Sequence, residues 1–291
     1  MKNFLITGLF GLSLSVSLQA QTKTKPNVLF IFADDQTFES IGSLNNNEIK
    51  TPNLDRLKDM GVTFSHTFNQ GSWTPAVCVA SRAMLNTGKF VWRAAKYSKK
   101  ANNKKDPNLP VNMPDYQVEM ETPKGYWSEF MKAEGYDTYF AGKWHVEKNA
   151  KEIFDVTGTV RAGMPNQTPE RYDRTFIEGE PDTWSPYDES KGGYWKGGKH
   201  WSEVLGDEAL GFLETAKNDT DPFFMYVAFN APHDPRQSPK KYVDMYPVEN
   251  ISIPKSFLLE YPYCEEAGTG HKLRDEMLAP YPRTEYSIKV I

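Results

Sequence analysis

Three apolar runs, each followed by polar residues, constrain the fold of this 291-residue chain more than any other feature. They cover residues 27–33, 138–141 and 223–229. Continuous apolar runs predict strands of a parallel sheet that is buried on both faces, because a strand with one wet face would alternate apolar and polar residues. The chain is therefore expected to build its core around such a sheet.

Helical patterns lie between these runs. Thr51 and Pro52 predict the N-cap and first turn of a helix that stops at Gly61. Apolar residues at helical spacing predict two more helices, which end before Gly135 and Asn218. Strands that alternate with helices predict an α/β fold with a mostly parallel central sheet flanked by helices.

Polar residues with chemical potential follow each of the three runs. They are Asp34 and Asp35 after the first, Lys143 and His145 after the second, and His233 after the third. Ligands bind parallel sheets beyond the carboxyl ends of the strands, so these residues are expected to meet at one edge. Two adjacent carboxylates repel each other and need a positive partner, which Ca²⁺ or Mg²⁺ would supply. A solvated acidic turn is the alternative.

Cys78 and Arg82 form a second candidate pair. Cys78 is expected near a helix N-terminus, and Arg82 lies one turn later on the same face, where the helix dipole and the guanidinium favour an anionic group. The alternatives are a buried structural cysteine with an unrelated surface arginine, or a disulfide between Cys78 and Cys264.

The sequence around Cys78 resembles a known signature. Residues 78–88 (CVASRAMLNTG) are similar to the motif of the type I sulfatases, in the alkaline-phosphatase-like superfamily, whose cysteine is oxidised after translation to formylglycine. Ala80 stands where that family more often has proline. Four further motifs of the family follow its order: PNV through DD at 26–35, TPNLD at 51–55, GKWH at 142–145 and APH at 231–233. The resemblance implies an alkaline-phosphatase-like fold and a sulfuric ester hydrolase.

The resemblance also implies the roles of the site residues. One Ca²⁺ ion would be held by Asp34, Asp35 and the formylglycine at position 78. Four side chains would act on the hydrated formylglycine and the sulfate: Arg82 steadies the hydrate, Lys143 and His233 bind the sulfate, and His145 hydrogen-bonds the hydrate and helps to expel the sulfate. Cationic groups aimed at the sulfate oxygens would stabilise the charge that shifts in the transition state.

The family pattern is incomplete towards the C-terminus. Type I sulfatases carry a second metal-binding pair and a second sulfate-binding lysine, and no residues after His233 match them. The sequence therefore predicts a catalytic domain over residues 21–291 that lacks its C-terminal part. Two alternatives to a sulfatase remain: a phosphonate or phosphate ester hydrolase of the same superfamily, and a catalytically incomplete remnant that binds sulfated glycans.

The first twenty residues are expected to be a signal peptide. Lys2 is their only charged residue, an interrupted apolar stretch follows it, and Ala20 is a small residue suited to the cleavage site. The stretch is too short and interrupted for a convincing membrane span, so cleavage would leave a periplasmic or secreted protein with no membrane attachment. The resemblance adds a formylglycine-generating maturation enzyme as a partner.

Charge and composition narrow the other partners. Thirty-four Lys and Arg residues against 38 Asp and Glu give a formal net charge of −4, which argues against a nucleic-acid surface. A sulfated small molecule or polysaccharide is the expected substrate. The aromatic residues of the segment 161–201 could stack on sugar rings or fix a long loop to the body. His66, His200, His271 and Cys264 match no motif and are assigned no catalytic role.

Overall fold

The computed structural model describes residues 25–73, 77–97, 125–161, 163, 165, 174, 176–182, 184–260, 262–263, 266 and 283–291. The predicted signal peptide, Cys264 and His271 lie outside the described residues. Among the helices in these ranges, none combines the length and apolar character that crossing a bilayer requires.

The core of the fold is a four-stranded parallel sheet. Its strands are β1 (Val28–Asp34), β2 (Asp137–Lys143), β3 (Val156–Arg161) and β6 (Phe223–Pro232), in the order β1-β6-β2-β3. Every neighbouring pair is parallel. The three apolar runs therefore form parallel strands of one sheet, as expected, and they are neighbours in it. Sequence reasoning missed β3, because its sequence VTGTVR is not an apolar run. Strands β4 (Trp195–Lys196) and β5 (Lys199–His200) form a separate antiparallel hairpin.

Nine α-helices lie among the described residues: α1 Gly42–Asn45, α2 Pro52–Asp59, α3 Val77–Thr87, α4 Val91–Ala94, α5 Trp127–Ala133, α6 Ala150–Ile153, α7 Trp201–Ala216, α8 Lys240–Val243 and α9 Glu285–Val290. Short 3-10 helices cover Phe38–Ser40, Ala95–Tyr97, Glu189–Lys191 and Val248–Asn250. Thr51 holds the N-cap position of α2 as predicted, but its hydroxyl makes no capping bond. That hydroxyl instead donates to Asp55 and accepts from the Gly42 amide, so it joins α1 to α2.

Apolar residues cover both faces of the sheet at β2 and β6. On one face Phe140, Phe224 and Tyr226 pack with Trp144 and Phe154 in an aromatic cluster. On the other face, the apolar stripe of α7 packs against buried side chains of β2 and β6: Trp201, Leu205 and Phe212 against Tyr139, Met225 and Val227. This two-sided burial explains why β2 and β6 have continuous apolar sequences. The same prediction is wrong for β1, because β1 is an edge strand and its Leu29 and Ile31 side chains are 47% and 56% exposed.

Gly142 lets β2 run close to the central strand β6 just before the predicted site. Its φ is +111°, and a Cβ atom there would lie 1.9 Å from the carbonyl oxygen of Ala228. Only glycine can occupy such a position, because any side chain would displace backbone. The close approach fixes the path of the chain into Lys143.

The aromatic residues of the segment 161–201 mostly face inward. Trp184, Tyr194 and Trp201 are 7%, 1% and 1% exposed, whereas Tyr187 is 41% exposed. Burial of the first three agrees with the interpretation that these rings fix the segment to the body of the protein.

Candidate catalytic site at the carboxyl edge of the sheet

The ends of β1, β2 and β6 converge with helix α3 at one edge of the sheet. Asp34 and Lys143 are the last residues of β1 and β2, and His233 follows β6 directly. Cys78 and Arg82 lie on α3, one turn apart. The contacts at this edge form three groups: Asp34 with Lys143 and Arg82, Cys78 with His145, and Asp35 with His233 and Asp234.

The first group is a buried ionic cluster of Asp34, Lys143 and Arg82. One carboxylate oxygen of Asp34 accepts a hydrogen bond from the Lys143 amine, and the other lies 3.5 Å from the Arg82 guanidinium. Arg82 also donates to the backbone carbonyl of Lys143 over 2.6 Å, and its guanidinium lies over the Phe32 ring. Arg82 and Lys143 are fully buried, and Asp34 is 5% exposed.

This cluster adds protein partners to the metal ion that is expected to neutralise both aspartates. For Asp34 the protein itself supplies two positive partners, since buried charges require pairing. Tyr226 lies beneath the cluster on the central strand, and burial raises the pKa of its phenol to about 12, against the opposing charge of Arg82. The phenol is therefore neutral at physiological pH, and the cluster charge is carried by Asp34, Lys143 and Arg82.

The second group consists of Cys78 and His145. The free thiol sulfur of Cys78 lies 3.4 Å from Nδ1 of His145, within hydrogen-bonding distance for sulfur. His145 has a φ of +52°, an uncommon conformation for a residue other than glycine. Such conformations often persist at functional sites because the surrounding structure over-determines them. This left-handed residue lies two positions after Lys143, the last residue of β2, and its imidazole reaches Cys78 on α3.

Asp35, His233 and Asp234 gather at the same edge. Their ligand atoms all lie within 4.8 Å of one another, which is a spacing suited to a shared metal ion. Asp35 has a φ of +64°, so its side chain diverges from that of Asp34. His233 Nδ1 lies 2.9 Å from a carboxylate oxygen of Asp234, and both residues are buried. Sequence reasoning missed Asp234, although an acidic residue directly after the APH motif was a usable signal.

The loop that carries His233 is held by residues of the 161–201 segment and its neighbours. The Tyr194 hydroxyl is 3.0 Å from the His233 carbonyl and 3.3 Å from those of Asn230 and Asp234. The backbone amide of Tyr194 donates a hydrogen bond to the side-chain oxygen of Gln237. The backbone carbonyl oxygen of Gln237 lies 2.9 Å from Nε2 of His200. Burial lowers the pKa of His200, and its side chain caps the N-terminus of α7. Both observations agree with a structural role for His200, as the sequence analysis assigned.

The predicted site residues thus all lie at the predicted edge, with some contacts that the sequence did not predict. Asp34 and Lys143, for which calcium and sulfate binding are expected, also contact each other. Asp35 groups with His233 and Asp234, and Cys78 pairs with His145. The catalytic and metal-binding roles of these residues stay predictions.

Comparison with known proteins shows that this chain is similar to one family. The Sulfatase family model matches residues 26–261. The ulvan-active sulfatase of Formosa agariphila is 29% identical over 245 residues, which cover 81% of this chain and 41% of that protein. The N-acetylglucosamine-6-O-sulfatase of Bacteroides thetaiotaomicron is 26% identical over 222 residues, or 74% and 32% of the two chains. The chain thus spans less than half the length of these two relatives.

A solved structure supports the fold. The phosphonate monoester hydrolase of Agrobacterium radiobacter aligns with a TM-score of 0.52 and 16% identity, over 83% of this chain and 47% of that one. At this identity the likeness concerns the fold alone. It confirms the predicted α/β architecture with a mostly parallel central sheet.

Proposed function

Because the chain belongs to the sulfatase family, we propose that it serves as the catalytic part of a sulfuric ester hydrolase. The observation that carries this proposal is the pairing of Cys78 with His145 beside the Asp34–Lys143–Arg82 cluster. A potential nucleophile, a proton-transfer group and buried cations at one sheet edge are what the transfer of an anionic group requires. Residues 26–261 contain all of these side chains.

Cys78 is proposed to be converted to formylglycine by a maturation enzyme. The hydrate of that aldehyde has two hydroxyl groups, so a sulfate transferred to one hydroxyl can leave by elimination driven by the other. His145 lies 3.4 Å from the Cys78 sulfur, which stands where the hydrate oxygens would be. At that distance its imidazole can hold or accept a hydroxyl proton.

Lys143 and Arg82 are proposed to give the site its positive charge. Both are fully buried and share the carboxylate of Asp34, so the three side chains carry a net charge of +1. Charges fixed in a buried site act more strongly on a sulfate oxygen than they would in water. The Arg82 guanidinium also donates a hydrogen bond to the Lys143 carbonyl, which joins α3 to the end of β2. Because Cys78 lies on α3 and His145 follows β2, this bond helps to hold the two residues near each other.

The donor set at the edge partly fits a calcium ion. The carboxylates of Asp35 and Asp234 are the hard oxygen ligands that Ca²⁺ prefers, whereas the imidazole of His233 suits softer ions. We therefore propose Asp35 and Asp234 as calcium ligands, with Asp34 and position 78 as the additional ligands suggested by the family motif. A bound calcium would supply positive charge for the sulfate oxygens.

Calcium binding is expected to depend on Asp35. The Asp35→Asn variant should bind Ca²⁺ about tenfold more weakly, because a charged oxygen ligand becomes a neutral one. Isothermal titration calorimetry with CaCl₂ measures this without relying on turnover. The matched control is Asp59→Asn, an exposed acid on α2, which should leave the affinity unchanged. Equal affinity in the Asp35 variant and the unsubstituted protein would contradict the assignment.

The substrate is proposed to be a sulfated carbohydrate. A relative whose name gives its substrate acts on a 6-O-sulfated N-acetylglucosamine, which supports a sugar ester for this chain. The N-terminal residues support a periplasmic or secreted location, where such glycans are available to an exported enzyme.

The proposed activity is tested with matched aryl esters. The protein, produced together with a formylglycine-generating enzyme, should hydrolyse an aryl sulfate faster than the corresponding aryl phosphonate. A panel of sulfated monosaccharides then identifies the preferred ester. Faster phosphonate hydrolysis would favour the other activity that this fold supports, and glycan binding without any turnover would indicate a non-catalytic protein.

A further inference from the structure

Arg161 places a positive charge at the carboxyl edge of the sheet. It belongs to none of the family motifs and to none of the three groups of contacts described above. It is the last residue of β3, and its register partner on β2 is Lys143. Its carbonyl accepts a hydrogen bond from the Trp144 amide over 2.7 Å, next to His145. Two residues further on, a Cβ atom at Gly163 would lie 3.5 Å from the His145 ring. Arg161 therefore borders the candidate catalytic site.

The Arg161 guanidinium rests on an aromatic platform. Its central carbon lies 3.7 Å from the centroid of the Trp201 ring, and Trp201 is 1% exposed at the start of α7. Stacking fixes the plane of a guanidinium while its five N–H groups stay available along the edge. Lys196 adds a second cation near the same ring, 6.0 Å from its centroid. The platform thus holds a planar donor group in place.

Within the described part of the chain, no carboxylate pairs with Arg161. The acid that reaches β3 from α7, Glu208, accepts hydrogen bonds from the amide and hydroxyl of Thr159 instead. Burial lowers the pKa of Arg161, because the charged guanidinium is less stable when it is partly removed from water. A half-buried guanidinium with this cost is stabilised by any anion that reaches it.

We propose that Arg161, stacked on Trp201, binds a second anionic group of the substrate, either a carboxylate or a second sulfate on the sugar. This inference rests on the proposed function, because the scissile sulfate would occupy the neighbouring site at Cys78 and His145. A guanidinium binds both kinds of anion through paired N–H donors, so it recognises either source. The subsite makes the protein selective for sugars with two acidic groups.

The test compares three ligands in the Cys78→Ala background, where the sulfate ester survives the titration. They are N-acetylglucosamine 6-sulfate, glucosamine carrying 2-N and 6-O sulfates, and a 6-sulfated glucosamine linked to a uronic acid. With Arg161 present, calorimetry should show that one or both doubly acidic sugars bind about tenfold more tightly than the monosulfate. The ligand that gains affinity identifies the carboxylate or the sulfate as the recognised group.

Arg161→Gln should abolish this advantage and leave the monosulfate affinity within about twofold. Arg161→Lys should retain part of it, since the charge stays while the stacked fork is lost. Lys199→Gln is the charge-matched control, because Lys199 pairs with Asp207 at the surface, and it should keep the full advantage. An advantage that persists in Arg161→Gln, or its absence in the presence of Arg161, overturns the subsite.

Failure of the subsite and failure of the proposed function give different results. Hydrolysis of an aryl sulfate whose aryl group carries no charge, by the protein with Cys78 intact, reports on the proposed function, whereas the ratio of sugar affinities reports on Arg161. Urea unfolding of Arg161→Gln and Arg161→Lys checks that both variants retain the fold.

Discussion

Cys78→Ala is expected to abolish sulfate ester hydrolysis, with a loss in kcat of about 10³-fold or more. Cys78 is the nucleophile precursor in the proposed mechanism, and its sulfur is the atom that contacts Nδ1 of His145. Alanine cannot be converted to an aldehyde, so both hydroxyl groups of the hydrate disappear together. Steady-state kinetics with a chromogenic aryl sulfate measures the loss.

Mass spectrometry provides a readout that does not depend on turnover. A proteolytic peptide that contains position 78, from protein made with the maturation enzyme, should carry an aldehyde in place of the thiol. Ser81→Ala, a neighbour on α3, serves as the control and should keep both the aldehyde and the activity. Hydrolysis by a protein with only a free thiol at position 78, or undiminished activity in Cys78→Ala, would contradict the formylglycine mechanism.

Lys143→Met is expected to destabilise the protein by about 3 kcal/mol, at the lower end of the cost of breaking a buried ion pair. The lysine amine is fully buried and bonds the Asp34 carboxylate, so methionine keeps the volume but removes the charge. Arg82 remains 3.5 Å from the other carboxylate oxygen, and this residual pairing limits the loss. Urea unfolding with linear extrapolation measures the change in free energy of unfolding.

Two further variants separate the ion pair from general effects of the substitution. Lys199→Met removes an exposed lysine that pairs with Asp207 and should change stability little, because solvent screens surface pairs. Adding Asp34→Asn to Lys143→Met should lower the stability further, because it removes the carboxylate that Arg82 still contacts and leaves a buried guanidinium charge uncompensated. If Lys143→Met and Lys199→Met lowered the free energy of unfolding equally, the buried Asp34–Lys143 pair would contribute no more to stability than a surface pair.

The parallel sheet and its functional edge could be predicted from local patterns. The apolar runs at β2 and β6 reflect burial on both faces, whereas β1 is an edge strand on which Leu29 and Ile31 are 47% and 56% exposed. In a parallel sheet the ends of the runs also determine where the following polar residues lie. β3 escaped prediction because its alternation of valine with threonine and glycine is weak, and pairing with β2 decides that it is a strand.

The partners of the site residues could not be predicted in the same way. The sequence predicted a shared cation for Asp34 and Asp35 but gave no protein partner for either. In the structure Asp34 contacts Lys143 and Arg82, while the left-handed backbone of Asp35 directs it towards His233 and Asp234. A single residue with positive φ separates the two carboxylates, and sequence periodicity does not report φ.

The sequence by itself determined the class of fold, the edge at which the polar residues gather and the motifs that indicated the family. Those features depend on local burial patterns and on residues close together in the chain. The tertiary structure decided that β6 lies between β1 and β2, that Lys143 reaches Asp34 across its end, and that Arg161 stacks on Trp201. These contacts join residues far apart in the chain, so their choice depends on strand order and on the packing of helices over the sheet.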